Sequence, residues 1–435
     1  MGEPIIGIIG VLGFLVLLAL NMPIAYAMAI VGVIGFSILV SPSAAFSMLA
    51  TEIYSNFASY SLSVIPMFVW MGFLAYYSGI GTRLYRFAYN LVGHRPGGLA
   101  MATEAACAIF GAICGSNTAT AATMGAIALP EMRKYKYDDS LSTASVAAGG
   151  ALGILIPPSV ILLVYGVSTE QSIGRLFIAG IVPGILLMLL YMLAIRIVVS
   201  RKPALAPAGT RATLAEKLNS LRNGVWEVIV VFSISLGGLF AGWFTPTEAG
   251  AVGCAGILLV TILKGQLTRE NLIKSLKDTT KTTAMIMFMV ASAMIFGRFI
   301  AISRLPFELA NWVSALNIHP FLVMVFIILV YLVLGCFIDA LALILLTVPI
   351  FYPVVVNVLG RDPIWFGVII ALVVAMGVIT PPVGMNVFVV KGVARDVSLE
   401  TIFKGVWPFL IAALVCVLIL IAFPQIVTFL PELLS

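Results

Sequence analysis

The stretch Gly153-Ile154-Leu155-Ile156-Pro157-Pro158 returns 224 residues later as Gly377-Val378-Ile379-Thr380-Pro381-Pro382. Each copy interrupts a long apolar run. Proline has no N–H to donate and its ring clashes with the preceding turn, so two in succession break a helix and leave carbonyls without helical donors. Two readings are open for such a site. One is a simple proline kink. The other is a built break, whose free carbonyls and half-helix C-termini suit Na+ and whose half-helix N-termini suit anions. The symmetry of the pair favours the built break.

The same shift, within a residue or a few, relates more of the chain. Pro23 matches Pro246, Gly180-Ile181-Val182-Pro183 matches Gly405-Val406-Trp407-Pro408, and Gly111 and Pro130 match Gly335 and Pro349. The sequence is therefore read as two repeats, residues 1–200 and 225–435, joined by a cytoplasmic linker over 201–224. A duplicated structural protein would share this pattern, but helix breaks at membrane depth cost backbone hydrogen bonds that a purely structural protein has no reason to give up.

The chain of 435 residues is 62% hydrophobic and 10% charged, against about 45–50% and about 25% for a soluble domain. No soluble core can hide that much apolar surface, so a lipid bilayer must be the solvent. Apolar runs recur throughout, among them 5–20, 25–40, 181–199, 225–244, 321–334 and 409–423. Period-two alternation is absent, which argues for helices over a barrel. The expected fold is an all-α polytopic membrane protein with two inverted-topology repeats, re-entrant hairpins and broken helices. The start Met-Gly-Glu-Pro has no basic region, so residues 5–20 are read as a retained first span. The five cysteines, Cys107, Cys114, Cys254, Cys336 and Cys416, lie in apolar segments without a Cys-x-x-Cys, which points to neither metal nor disulfide chemistry.

The net charge of +6 raises the question of nucleic acid, but where the charges sit excludes it. Twenty of the 24 Lys and Arg fall in five clusters: Arg83 to Arg95, Arg133 to Lys136, Arg196 to Arg222, Lys264 to Lys281, and Lys391 to Lys404. With all five on the cytoplasmic side, only Arg175, Arg304 and Arg361 remain outside, the asymmetry expected of cytoplasmic loops. This map puts both ends of 99–132 inside. Its 34 residues fall short of the about 40 that two spans need, and Gly111, Gly115, Ser116 and Asn117 interrupt it, so it is read as a re-entrant hairpin. The second repeat then starts inside, and its hairpin, about 320–355, opens outward. The broken helices are placed at about 141–166 and 365–392.

Several residues at membrane depth carry chemistry. The tip Gly115-Ser116-Asn117-Thr118 offers small polar groups for substrate oxygens or Na+, with close helix packing as the alternative. Asp339 in the second tip is an intramembrane acid that balances a cation, accepts tip N–H groups, or simply caps a helix. Arg298, the only base in an apolar stretch, either meets a substrate carboxylate or snorkels or pairs with an acid. Glu248 reads as an acid in the first turn of a Pro-opened helix. Glu104 is open in the same way as Asp339.

The motifs Gly115-Ser116-Asn117-Thr118-Ala119-Thr120, 153–159, Phe244-Thr245-Pro246-Thr247-Glu248 and 377–386, in this order, resemble the large membrane subunit of the tripartite ATP-independent periplasmic transporters over essentially the whole chain. The resemblance implies an elevator transporter of the bacterial inner membrane. It implies two partners, a small four-helix membrane subunit and a soluble periplasmic substrate-binding protein, and sodium-driven import of an organic acid such as a C4-dicarboxylate or sialic acid. It also implies two sodium sites, mostly of backbone carbonyls: Gly111, Cys114, Gly153, Ile156 and Pro158 in one, and Gly335, Gly377, Thr380 and Val383 in the other. Ser116, Asn117, Thr118, Arg298, Asp339 and Asn386 are the candidate substrate residues. The family often has serine at the positions of Cys114 and Asn117; a backbone ligand survives the first change, and the second alters side-chain contacts. No Gly-x-Ser-x-Gly, His-Glu-x-x-His or Walker loop is present, which excludes the corresponding enzymes and pumps. A self-sufficient sodium–anion symporter of another elevator family remains the alternative.

Overall fold

A computed structural model describes residues 2–315 and 319–434. Among these residues every regular element is helical. The first half runs α1 (Glu3–Ala19), α2 (Ile24–Leu39), α3 (Pro42–Phe57), α4 (Val64–Tyr77), α5 (Ile80–Val92), α6 (Gly98–Cys114), α7 (Asn117–Lys134), α8 (Asp139–Ala151), α9 (Val160–Ser168) and α10 (Ile173–Arg201). After α11 (Leu214–Gly224) come α12 (Trp226–Phe240), α13 (Pro246–Leu263), α14 (Arg269–Ile302), α15 (Leu305–Ala315), α16 (Pro320–Gly335), α17 (Ala340–Tyr352), α18 (Pro363–Gly377), α19 (Met385–Val393), α20 (Leu399–Ala422) and α21 (Gln425–Leu434).

The order of elements repeats. The hairpin α6–α7 answers to α16–α17, with a proline inside each second arm, Pro130 and Pro349. The broken pair α8 and α9 answers to α18 and α19, and both Pro-Pro bonds, 157–158 and 381–382, are cis. Pro183 lies inside α10 as Pro408 lies inside α20. Two segments differ. The third element of the first half is split into α3 and α4, whereas its counterpart is the single 34-residue helix α14.

Among the described residues six helices are long and apolar enough to cross a bilayer, and several shorter apolar helices accompany them. Their outer faces carry exposed Ile5, Ile8, Leu12, Ile34, Leu189 and Ile411, surface that only lipid covers at no cost. The two broken helices lie at the centre. Ile364 through Gly377 of α18, and Leu141 through Ala151 of α8, are all buried, as a helix apolar or small on all sides must be.

Two groups of helices surround this centre. In one, α2 lies along α14, α4 against α13 and α14, and α12 against α13. In the other, α8 is enclosed by α6, α7 and α20, with α10 against α20 and α17 against α9. Helix starts are capped as the sequence dictates. Ser41 accepts from Ala44 N at 3.2 Å, and Thr245 and Glu248 form a capping box that opens α13, in line with the reading of Glu248. The linker is more ordered than its polar sequence suggests: a second capping box, Thr213 with Glu216, starts α11, which lies against α5.

Small residues set the contact of α20 with α8. A Cβ on Gly405 would lie 2.0 Å from the Ser140 carbonyl oxygen, whereas one on Gly237 would meet nothing within 4 Å. Gly405→Ala should therefore lower the thermal unfolding temperature of the purified chain, with overpacking costing about 1–3 kcal/mol. Gly237→Ala, a gain of up to about 1 kcal/mol in helix propensity, should not.

Candidate functional site

Helix α6 stops at Gly115, whose φ of +60° is a conformation that a side chain disfavours. A Cβ there would also lie 2.8 Å from the Pro158 carbonyl oxygen, so the first tip rests directly on the first helix break. Ser116 then caps α7, accepting from Ala119 N at 3.4 Å, while Thr120 Oγ1 donates to the Ser116 carbonyl at 2.7 Å. At the break, Ser159 caps α9, accepting from Leu162 N at 3.3 Å and donating to the Ile154 carbonyl. In the second tip Asp339 caps α17, accepting from Leu341 N at 3.0 Å.

These three capped helix starts open on one cavity of about 450 Å³. Ser116, Asn117 and Thr118 line it from the first tip, Val160 and Ile161 from the start of α9, and Asp339, Ala340 and Leu341 from the second tip. The opposite wall comes from the other helix group: Val69, Gly72, Phe73 and Tyr76 of α4 and Thr282, Met285 and Ile286 of α14. A Cβ on Gly72 would lie 2.7 Å from Cys114 Cα, so α4 touches the first tip without an intervening side chain. No Lys or Arg is among the lining residues, and Asp339 is their one charged member. The N–H groups and dipoles of three helix starts are therefore what the cavity offers an anion.

Behind each tip, two glycines bring backbones together. A Cβ on Gly111 would meet Gly153 Cα at 2.8 Å, and one on Gly377 would meet Gly335 Cα at 2.8 Å. Of the candidate sodium residues, Gly111 and Gly153 in one half and Gly335 and Gly377 in the other thus meet between a hairpin and its broken helix. A hard cation takes oxygen ligands, and the donor set there suits one through carbonyls. The Cys114 thiol is taken up by the Ser116 carbonyl at 3.4 Å and Thr120 Oγ1 at 3.2 Å, which leaves its carbonyl as the donor. Ile156 packs its side chain towards Gly184 of α10. Thr380 Oγ1 donates to the Met376 carbonyl at 2.7 Å and keeps oxygen lone pairs free. Among the described residues no three His, Cys, Asp or Glu side chains gather to hold a metal.

Two candidate substrate residues are not brought to the cavity. Arg298 lies 12 residues beyond Ile286 on α14, about 18 Å at helical rise, and its Nε donates to Glu52 Oε1 of α3 at 2.8 Å. Its side chain is 63% exposed while that of Glu52 is 9% exposed, so the ion pair satisfies an otherwise buried carboxylate. Asn386 is fully buried. Its Nδ2 donates to the Ala147 carbonyl at 3.0 Å, and its Oδ1 accepts from Asn117 Nδ2 at 3.0 Å. A carbonyl can only accept, so Ala147 fixes the orientation of both amides. Asn386 therefore positions Asn117 and does not line the site. Glu104 is buried on α6 away from the cavity, with no partner for either carboxyl oxygen among the described residues. The wall residues Tyr76 and Thr282 carry no sequence signal, since Tyr76 sits in an ordinary apolar helix pattern and Thr282 is one of several threonines in the polar run 277–283.

Residues 11–426 match the family model described as "Tripartite ATP-independent periplasmic transporter, DctM component". The chain is 38% identical over 396 residues to the C4-dicarboxylate TRAP transporter large permease protein DctM of Pseudomonas aeruginosa, covering 91% of each. It is 35% identical over 424 residues to the sialic acid TRAP transporter large permease protein SiaM of Vibrio cholerae, covering 97% of this chain and 98% of that one. The crystal structure of the Alcanivorax borkumensis YdaH transporter, described as having an unusual topology, is similar in fold, with a TM-score of 0.61 at 16% identity over 88% of this chain and 90% of that one.

The placement of Arg298 has a measurable outcome. Replacing both partners, Glu52→Met with Arg298→Met, should keep uptake in proteoliposomes at the wild-type level. Arg298→Met alone should lower the unfolding temperature more than the pair does, because it strands a buried carboxylate. A stable double variant whose substrate half-saturation rises would instead place Arg298 on the substrate.

Proposed function

The chain belongs to the DctM family, the large permeases of the tripartite ATP-independent periplasmic (TRAP) transporters, and from that premise we propose that it imports an organic acid anion by sodium-coupled elevator movement. The observation that carries this reading is the position of the cavity. It lies on the boundary between two helix groups, with its polar tips in one and its smooth wall in the other. A carrier formed by the hairpins, the broken helices, α10 and α20 would slide past a scaffold of α1 to α4 and α12 to α14. The direct contact of Gly72 with Cys114 supports this boundary as a sliding surface, because no side chain interlocks there.

The chain's own residues divide the work as follows. Ser116, Thr118 and the helix starts behind them hydrogen-bond the substrate's oxygens. Asn117, held by Asn386, presents its amide at a fixed angle. Asp339 keeps its own tip closed by accepting the Leu341 N–H. The carbonyls at Gly111, Cys114, Gly153, Ile156 and Pro158, and at Gly335, Gly377 and Val383 together with the Thr380 hydroxyl oxygen, hold the cation. Bound sodium supplies the positive charge that the cavity's side chains lack, which lowers the cost of carrying an anion through hydrocarbon. The membrane is the bacterial inner membrane. The partners are a small four-helix membrane subunit and a periplasmic binding protein that delivers the anion to the outward-facing cavity. Relatives named for C4-dicarboxylates and for sialic acid support a small organic acid as the substrate.

Proteoliposomes holding this chain and its small subunit should accumulate substrate only with an inward sodium gradient and a loaded binding protein. Uptake with sodium but without the binding protein would favour a self-sufficient symporter. Thr380→Ala should raise half-saturating sodium about tenfold, the size of one lost contact to a charge. Ser116→Ala should weaken substrate more than sodium. Unchanged values for both would remove these residues from the site.

A further inference from the structure

A second cavity, of about 550 Å³, lies between α5 and the linker, on the face that carries the basic clusters. Its charged lining is Arg83 and Arg86 of α5, Arg211 of the linker, and Glu216 at the start of α11. Glu216 is already committed: its Oε2 accepts from Thr213 N at 2.7 Å and Thr213 Oγ1 at 2.9 Å. Those donors are neutral and leave its charge in place, so three guanidinium groups face the cavity against one carboxylate. Arg83 is the most exacting of the three. Its Nε and Nη2 are buried with no hydrogen-bond partner among the described residues, and the acid whose field reaches it, Glu227, is paired with Lys264. Burial also pulls the Arg83 guanidinium below its ordinary value, opposed by the field of Glu227. Hydroxyls complete the lining, with Tyr89 Oη 2.9 Å from Thr210 Oγ1.

We propose that this cavity binds a phosphate group, supplied by the headgroup of an anionic phospholipid. Guanidinium forks match phosphate oxygens in geometry and charge. Basic pockets on the cytoplasmic side of membrane helices are where anionic headgroups settle. The surroundings supply the rest of a lipid site. Leu214 and Leu218, one turn apart on α11, are exposed, as are Leu91 at the end of α5 and Trp226 at the start of α12. Leu214 and Leu218 lie on the side of α11 opposite to Glu216, Asn219 and Ser220, which line the cavity, so an amphipathic α11 with its leucines in lipid sets the cavity at headgroup level, and a tryptophan at this level is typical of the interface. A free phosphate ion would use the guanidinium groups but would gain nothing from that depth.

The test compares the wild-type chain with Arg86→Gln/Arg211→Gln, both outside the transport cavity, and with Arg211→Gln alone, an exposed linker change that leaves the helices intact. Native mass spectrometry of detergent-purified protein, titrated with phosphatidylglycerol or phosphatidylcholine, reads lipid retention. Thermal unfolding in inorganic phosphate against chloride reads the free ion. The wild type should retain one phosphatidylglycerol about tenfold more tightly than the double variant, the size of one lost charged hydrogen bond. Arg211→Gln should fall between them, and phosphatidylcholine should show no difference. Stabilisation by inorganic phosphate that the variants lose, without a lipid preference, would keep the phosphate site but make the free ion its occupant. Equal behaviour of wild type and variants in both arms overturns the proposal.

Discussion

The fold turns on two backbone contacts, Gly111 with Gly153 and Gly335 with Gly377. A helix broken inside a membrane leaves polar backbone that lipid cannot satisfy, so it must be covered by protein. Here each break is covered by the arm of a hairpin, and only residues without side chains let the two chains come that close. The rest follows from that need. The hairpins must reach to membrane depth, the broken helices must lie at the centre, and the space left between tips and scaffold becomes the cavity.

The polar groups at that centre are few, and three of them form one hydrogen-bonded chain. The Ala147 carbonyl holds the Asn386 amide, which holds the Asn117 amide. The chain of contacts joins α8, α19 and the first tip, segments from both halves of the sequence. In a low-dielectric interior such a network is worth keeping only when every member is satisfied. It also stiffens the tip, so the cavity's geometry is set by the buried core and not by a loose loop.

Much of this was legible in the residues. Glycine and proline are strong punctuators, and at membrane depth their backbone consequences are severe, so the tips at 115–117 and the breaks at 157–158 and 381–382 stood out. Side-chain partners were less legible. A lone base in an apolar helix does not reveal which side of the helix meets an acid, and Glu52 lies 246 residues from Arg298 in sequence. Asn386 read as a substrate residue because its motif neighbours the break, yet burial and two amide bonds give it a positioning role. The helix α11 was missed although its capping pattern, Thr213 followed by Glu216, is written in the linker. The cavity wall on α4 and α14 had no signature at all, since a residue facing an anion-sized space and one facing lipid look alike in an apolar run.

The bond between Asn117 and Asn386 also bears on how such a cavity can be redesigned. The cavity-lining Asn117 and the residue that holds it are encoded 269 positions apart. A tip transplanted from a relative would arrive without its support and leave the Asn386 amide facing a stranger. The smallest portable module is a matched pair of fragments, one around 115–120 and one around 384–390. Libraries that randomise only the first would mostly sample misaligned versions of a single pocket.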